Sequence, residues 1–268
     1  MWLKNTIQSA LRRRGIEFRK APAGYIPLPV FDVAVQAVMG RLGRPLRFIQ
    51  VGANDGVYSD PLRRYVESHQ WSGVLIEPQP DIFERLKTNY SLHGARLIFE
   101  NLAISNGGGS LVLYRVADVD ISKSASMPRS VTITSTNPKV VAEQAGVSEK
   151  DLARLEVPSV TLNHVVEKNG FQDFDVLQID VEGYDFQVLQ TIDLCRYRPA
   201  IIQFEHGHLS VAETYAVGKF LADNRYALYF GGHENDSVAM SAEALFLLGA
   251  TTAKMRAAWG DAGQSSGA

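Results

Sequence analysis

The sequence predicts an α/β protein, a mostly parallel sheet with helices on both faces and an antiparallel last strand. Three observations carry that expectation. From Leu46 onward, short apolar runs alternate with longer amphipathic stretches. A glycine-containing turn follows the first apolar run. Near the end, YALYFGG and EALFLLGA have no helical pattern between them. Strand-like segments separated by helix-like ones are what crossover-connected parallel strands require. Two consecutive strands without a helix between them run antiparallel.

Residues 1–45 read as an N-terminal helical extension. It opens with a basic amphipathic helix carrying Arg12, Arg13 and Arg14 and continues into APAGYIPLP. Such a helix suits a docked or frayed terminus, or peripheral contact with a membrane surface or a partner. The main domain is expected over residues 46–250. Its strands are LRFIQV, GVLIE, ARLIF, DVLQID and AIIQFE. Its helices are DPLRRYVESH, DIFERLKTNYSLH, GYDFQVLQTIDL and VAETYAVGKFLADN. The alternation breaks once. After ARLIFENLAIS, the turn from Asn106 to Gly109 leads into SLVLYRV, a strand pair joined by glycines. The stretch 117–135 is rich in Ser and Thr, so an insertion or lid is expected over about 117–150. Ser148 with Asp151 marks a helix start. The tail 251–268 is small and polar.

Composition narrows the function classes. At 268 residues, 46% apolar and 21% charged, the chain buries a core without disulfides or a structural metal. Lys+Arg 27 against Asp+Glu 29 leaves a formal charge of −2, no electrostatic case for nucleic acid. The single cysteine, Cys195, excludes an internal disulfide and a Cys-based zinc cluster. No apolar run approaches the roughly 20 residues that span a bilayer. The start MWLKNTIQSALRRRGIEF mixes charge into its apolar positions, unlike a signal peptide. A cytoplasmic protein is expected, as a monomer or a homodimer.

The chemistry-bearing residues fall at the ends of strands. The first strand runs into Gly52, Ala53, Asn54, Asp55 and Gly56. In an open parallel sheet, ligands bind in the crevice beyond the carboxyl ends of the strands. A dinucleotide fingerprint would need G-x-G-x-x-G. Asn54 stands where the second glycine belongs and Gly56 comes one position early. A nucleoside without a pyrophosphate fits better, and S-adenosylmethionine (SAM) is the natural one; the alternative is a plain tight turn. Glu77 ends the second strand in LIEPQP, placed to accept both hydroxyls of a ribose, or to start the next helix. Asn101 and Ala103 follow the third strand, where a base would lie; Asn101 also suits a turn. The fourth strand delivers Asp180, Glu182 and Asp185 in QIDVEGYD, and the fifth ends at Glu205, His206, Gly207 and His208. Carboxylates this close raise one another's pKa unless a cation or donor compensates. Asp180 and Glu205 are candidates for acid–base work. Asp180, Glu205 and His206 are a candidate set for Mg²⁺ or Mn²⁺, against the plainer reading of His206 and His208 as turn residues.

These blocks resemble the FkbM family of SAM-dependent methyltransferases. The resemblance rests on FIQVGANDGVYSDPL, GVLIEPQPDIFERLKTNY, ENLAIS, TLNHVVE, DVLQIDVEGYDFQVLQ and PAIIQFEHGH, in that order over residues 46–210. It implies a class I methyltransferase Rossmann-like fold, with seven mostly parallel strands and an antiparallel last one. It implies methyl transfer to oxygen, commonly to sugar hydroxyls. Carried over by motif, Gly52, Ala53, Asn54 and Gly56 line the cofactor, Glu77 takes the ribose, and Asn101 and Ala103 lie by the adenine. Asp180, Glu182 and Glu205 face the transferred methyl and the acceptor. The usual D-x-G opening is Gln50-Val51-Gly52 here, so an amide oxygen stands where a carboxylate would meet the cofactor's ammonium. That departure keeps a non-catalytic SAM-binding scaffold open as an alternative, beside a methyltransferase for a non-sugar small molecule or peptide.

Overall fold

The computed structural model describes residues 30–117, 133–233 and 236–246. The basic N-terminal helix, the centre of the Ser/Thr-rich stretch with Lys123 and Arg129, and the polar tail lie outside them.

The main sheet has seven strands: β1 (Arg47–Val51), β2 (Ser72–Ile76), β3 (Leu97–Glu100), β7 (Val176–Ile179), β8 (Ile201–Glu205), β9 (Tyr226–His233) and β10 (Asp236–Ser241). Their order is β3-β2-β1-β7-β8-β10-β9. The first five run parallel, and β10 is antiparallel to both β8 and β9. The fold is therefore the mixed sheet of class I methyltransferases. Strand order reverses between β1 and β7, which makes the crevice above their carboxyl ends the ligand position of such a sheet.

Central strands in a two-layer cover are apolar on both faces, and β1, β7 and β8 show it. Ile49, Val51, Leu177, Ile179, Ile202 and Phe204 pack on one face with residues of α5 (Leu162–Lys168), α6 (Asp185–Leu189) and α7 (Val211–Asp223). Phe48, Val176, Ile201, Val238 and Met240 pack on the other with α1 (Val30–Leu42), α2 (Arg63–His69) and α3 (Pro80–Asn89). Helix α1 belongs to this core through Phe31, Ala34, Val35 and Val38. Burying Val35 or Val38 contributes about 1.5–3 kcal/mol each. The packed unit thus begins upstream of residue 46.

Two elements differ from the sequence expectation. The last strand is DSVAMS, not EALFLLGA; residues 242–246 are helical and Phe246 is exposed. DSVAMS has weak strand propensity, yet it is laddered on both sides, and pairing outweighs propensity there. The glycine turn also does not join paired strands. Strands β4 (Ala103–Ile104), β5 (Gly109–Val116) and β6 (Leu152–Val160) form a second sheet in the order β4-β6-β5. The long partner of β5 is β6, in register from Gly109↔Ser159 to Val116↔Leu152. Leu113 and Val157 close a small core with Ala103 under this sheet. Between β5 and β6 lies α4 (Pro138–Ala145), started by Asn137 Oδ1 accepting from the Lys139 amide at 3.0 Å and stopped by left-handed Gly146. Ser148 and Asp151 do form a capping box, on a single 3-10 turn.

Candidate active site

The turn leaving β1 is shaped by close approach. Gly52 has φ +81, and a Cβ there would lie 1.8 Å from the Asp180 carbonyl oxygen. The Asp180 amide donates to the Val51 carbonyl at 3.0 Å, so β1 and β7 leave the sheet pressed together. Only glycine fits. Asn54 follows with φ +50, a conformation that Asn tolerates by bonding its own backbone; its Oδ1 accepts from the Asp55 amide at 2.7 Å. Gly56 answers to something else. A Cβ there would meet the Tyr90 ring at 2.5 Å, so its smallness serves packing of the loop on the end of α3. Ala53 is buried in the same core.

Glu77 anchors the turn. Its carboxylate is buried and accepts from the Asn54 amide at 3.0 Å and the Gln79 amide at 2.9 Å. Burial pushes its pKa up to about 7, with those two amides pulling the other way. Pro80 sets the first turn of α3 just beyond. Asn101 holds the chain between, donating from Nδ2 to the carbonyls of Glu77 and Pro78 at 2.9 and 3.1 Å. Ala103 sits apart, packed beneath the small sheet.

Gln50 is buried and donates from Nε2 to Asp60 Oδ1 at 3.2 Å. Asp60 also accepts from the Tyr90 hydroxyl at 2.6 Å and the Leu62 amide at 2.8 Å. Gln50 is one of a row: it pairs in register with Gln178, and Gln178 with Gln203. All three are buried, and each Oε1 is enclosed without a hydrogen-bond donor. Because side chains repeat every second residue along a strand, the row lies just below Gly52, Asp180 and Glu205.

Above it the carboxylates gather. Asp180 is exposed to solvent, lines the crevice, and accepts no hydrogen bond from a described residue. Desolvation by the surrounding walls, then the charges of Glu205, Asp185, Glu182 and Asp236, hold its carboxyl well above the usual aspartate range. Asp185 is fully buried and accepts from the amides of Gly183 and Glu205, both at 3.2 Å. Burial and the Glu205 charge push it up to about 8. It fixes the end of β8 to the β7 loop rather than capping α6. Glu182 adopts φ +54, and its carbonyl accepts from Ser135 Oγ at 2.8 Å.

The structure separates the two histidines. His206 directs Nδ1 to Ser237 Oγ at 3.0 Å, and burial lowers its pKa. His208 turns back to the carboxylates, with Nε2 at 3.3 Å from Glu182 and 3.7 Å from Glu205. The Glu182 contact holds its pKa above the ordinary value while burial opposes it. Adjacent side chains at a strand end leave on opposite faces, so the neighbour of Glu205 points away and the residue three along returns. Of the set expected to hold a metal, Asp180, Glu205 and His206, only Glu205 joins a close group of ligand atoms; its companions there are Glu182 and His208. The Ser210–Glu213 capping box at the start of α7 fixes the turn that carries His208.

Sequence reasoning missed Gln144. Its Nε2 donates to Glu182 at 2.6 Å and lies 2.6 Å from His208 Nε2. It comes from α4, so part of the polar insertion between β5 and β6 does reach the site. Asp60 was legible only as the start of a helix-like stretch and Asp185 only as one of the clustered carboxylates, although each organises several groups. No lysine or arginine among the described residues forms an ion pair with Asp180 or Glu182.

The arrangement combines a tight turn and buried carboxylate at the switch point with an open carboxylate and a Glu–His–Glu group beside it. Solved structures similar to this chain include the methyltransferase FkbM from Methylobacillus flagellatus KT, at 9% identity and TM-score 0.47, covering 73% of this chain and 43% of that one. The chain therefore spans less than half the length of that protein. A human methyltransferase 10 domain containing protein matches at 11% identity and TM-score 0.43, covering 88% and 95%. The N-terminal domain of human METTL16 in complex with SAH matches at 12% and TM-score 0.45, covering 88% and 80%. No curated protein matches by sequence. The family model for the methyltransferase FkbM domain matches residues 50–228. That span holds Gln50, Glu77, Asp180, Glu205 and both histidines, and by it the chain belongs to the FkbM methyltransferase family.

Proposed function

We propose that this methyltransferase is a SAM-dependent O-methyltransferase acting on a hydroxyl of a sugar or glycosylated small molecule in the cytoplasm. The observation that carries the reading is Asp180, an open carboxylate without a hydrogen-bond donor, set against the Gly52 turn in the switch-point crevice.

The residues at the turn fit the cofactor. Each Glu77 oxygen accepts one backbone amide and keeps a lone pair for a hydroxyl of a ribose diol. Gln50 Oε1, buried without a donor, suits an ammonium. Gly52, Ala53 and Asn54 bring backbone close to the ligand, and Asn101 holds the loop under the base. Bound there, SAM would supply a sulfonium-activated methyl group for the acceptor oxygen, its sulfur keeping the electron pair of the broken C–S bond.

A sugar hydroxyl must shed its proton as the new C–O bond forms. Asp180 takes that proton, and its elevated pKa makes it a stronger base than an ordinary aspartate. Glu182 and Glu205 orient neighbouring hydroxyls, for which carboxylates are good acceptors. Positioning supplies much of the remaining rate. Mg²⁺ or Mn²⁺ is an accessory in this reading.

Calorimetric titration with S-adenosylhomocysteine tests it. Micromolar binding lost in Glu77→Ala, with Asp180→Asn binding normally but unable to methylate glycan acceptors, is the expected result. No binding by the wild-type chain would sink the proposal.

A further inference from the structure

One carboxylate oxygen each from Glu182 and Glu205 and a ring nitrogen of His208 lie within 4.8 Å of one another. They come from three places: the left-handed turn after β7, the last residue of β8, and the loop beyond it. Each backbone is tied down. Ser135 Oγ donates to the Glu182 carbonyl, Asp185 accepts from the Glu205 amide, and the α7 capping box follows His208. A fourth side chain, Gln144, puts its amide 2.6 Å from both Glu182 Oε2 and His208 Nε2. Which end of that amide faces the group follows from the hydrogen-bonding network around it. Facing carboxylates and imidazole alone it donates; facing a cation it would turn its oxygen inward.

We infer that Glu182, Glu205 and His208 form a site for a divalent cation, with Gln144 supplying a carbonyl oxygen as fourth ligand. Two carboxylates and an amide oxygen are hard donors, and the single imidazole shifts the preference from Mg²⁺ toward Mn²⁺. An independent observation points the same way. Gln203 lies two residues before Glu205 on β8, hence on the same face, and Gln178 is its in-register neighbour. Both present buried Oε1 atoms without a donor. Water molecules completing the shell of a cation above them would supply those donors, as outer-shell partners of metal sites do. Asp180 and His206 take no part, which leaves Asp180 free for the acceptor's proton. The inference rests on the methyltransferase reading only for its consequence, the steering of acceptor hydroxyls by the ion.

Titration of the full chain with Mn²⁺ alone, followed by loss of the free-ion paramagnetic resonance signal, tests it without cofactor or acceptor. One ion per chain is expected. His208→Ala and Glu182→Gln should each weaken binding by more than the roughly tenfold that losing an outer-shell partner costs. His206→Ala and Asp180→Asn should bind as the wild type does. Gln144→Glu, on a partly exposed helix position, should tighten binding by adding a carboxylate, and it guards against a misfolded His208 variant. Absence of binding, or binding lost with His206 but kept without His208, overturns the inference. Titrating the same samples with S-adenosylhomocysteine separates the two readings: Mn²⁺ lost with that ligand still bound removes the ion site alone, and the reverse removes the cofactor reading alone.

Discussion

Strand β7 has an aspartate just before its first residue and another just after its last, Asp175 and Asp180, and their surroundings are opposite. Asp175 is buried and fully engaged. Arg44 grips it through two nitrogens at 2.8 and 2.9 Å, and the Arg47 amide donates to it at 2.8 Å. A cavity of about 300 Å³ beside it, walled by Val38, Leu42, Phe174 and Arg198, lies at this lower rim. Asp180, at the other end of the same four-residue strand, has no donor and four carboxylate neighbours. One end of the strand spends its carboxylate on holding the segment between α1 and β1; the other leaves it in the crevice, where a ligand would satisfy it. Unsatisfied polar groups mark where a fold has been shaped for something else.

The comparison breaks most visibly at Asp180. Asp180→Asn should lower turnover by about 10²–10⁴-fold, the usual weight of a general base, while the melting temperature holds or rises; a fall in stability with activity kept would reverse the assignment. Asp175→Ala should do the opposite. It leaves Arg44 without its partner and should cost about 2 kcal/mol, discounted from buried-pair values because Arg44 is half exposed. Urea denaturation measures it, and S-adenosylhomocysteine affinity of the folded fraction should be unchanged.

Two pH dependences sharpen the contrast. The proposed ribose contact needs the Glu77 carboxylate, whose pKa burial pushes up to about 7. Below that pH the carboxyl must lose a proton to bind, so S-adenosylhomocysteine affinity should fall by up to about tenfold per pH unit, and Glu77→Gln should flatten the profile. The smaller effect is on stability. Asp185 keeps its proton to about pH 8 in the fold but only to about pH 4 in the unfolded chain. The folded state binds more protons across that window, so this group's contribution falls as pH rises from 4 to 8 and levels off above. Asp185→Asn should melt closest to the wild type at pH 4 and gain on it by pH 8, despite weakening one of the two backbone contacts.

The upper rim was legible because each central strand announces its own end. RFIQV, GVLI, VLQI and IIQF are mostly apolar and then give way to Gly52, Glu77, Asp180 and Glu205 with the His206–His208 turn. Gly52 was readable as a close approach, although its partner, the Asp180 carbonyl, belongs to a strand far along the chain. Gly56 and Ala103 share motifs with the residues proposed to hold the cofactor, and packing sets their surroundings: one faces Tyr90, the other Leu113 and Val157. Gln144 was beyond reach, since nothing local ties α4 to a turn 38 residues later. The position of β10 was hidden for a related reason. DSVAMS becomes a strand through what lies on either side of it, and that is a property of the sheet.

The row Gln50, Gln178 and Gln203 implies a margin that the molecule has not used. A buried acceptor left without a donor costs about 1–3 kcal/mol, and a methionine or leucine of similar volume would carry no such charge against the fold. Gln178→Met, in the middle of the row, should therefore melt several degrees higher. Gln50 and Gln203 also donate to Asp60 and Asp236. Neutral drift toward an apolar residue at Gln178, by contrast, would be downhill in stability, so its amide persists only while something outside the fold rewards it. A survey of spontaneous stabilised variants, selected for heat resistance alone, should find Gln178 among the first places to turn greasy and the methyl-transfer chemistry among the first things lost.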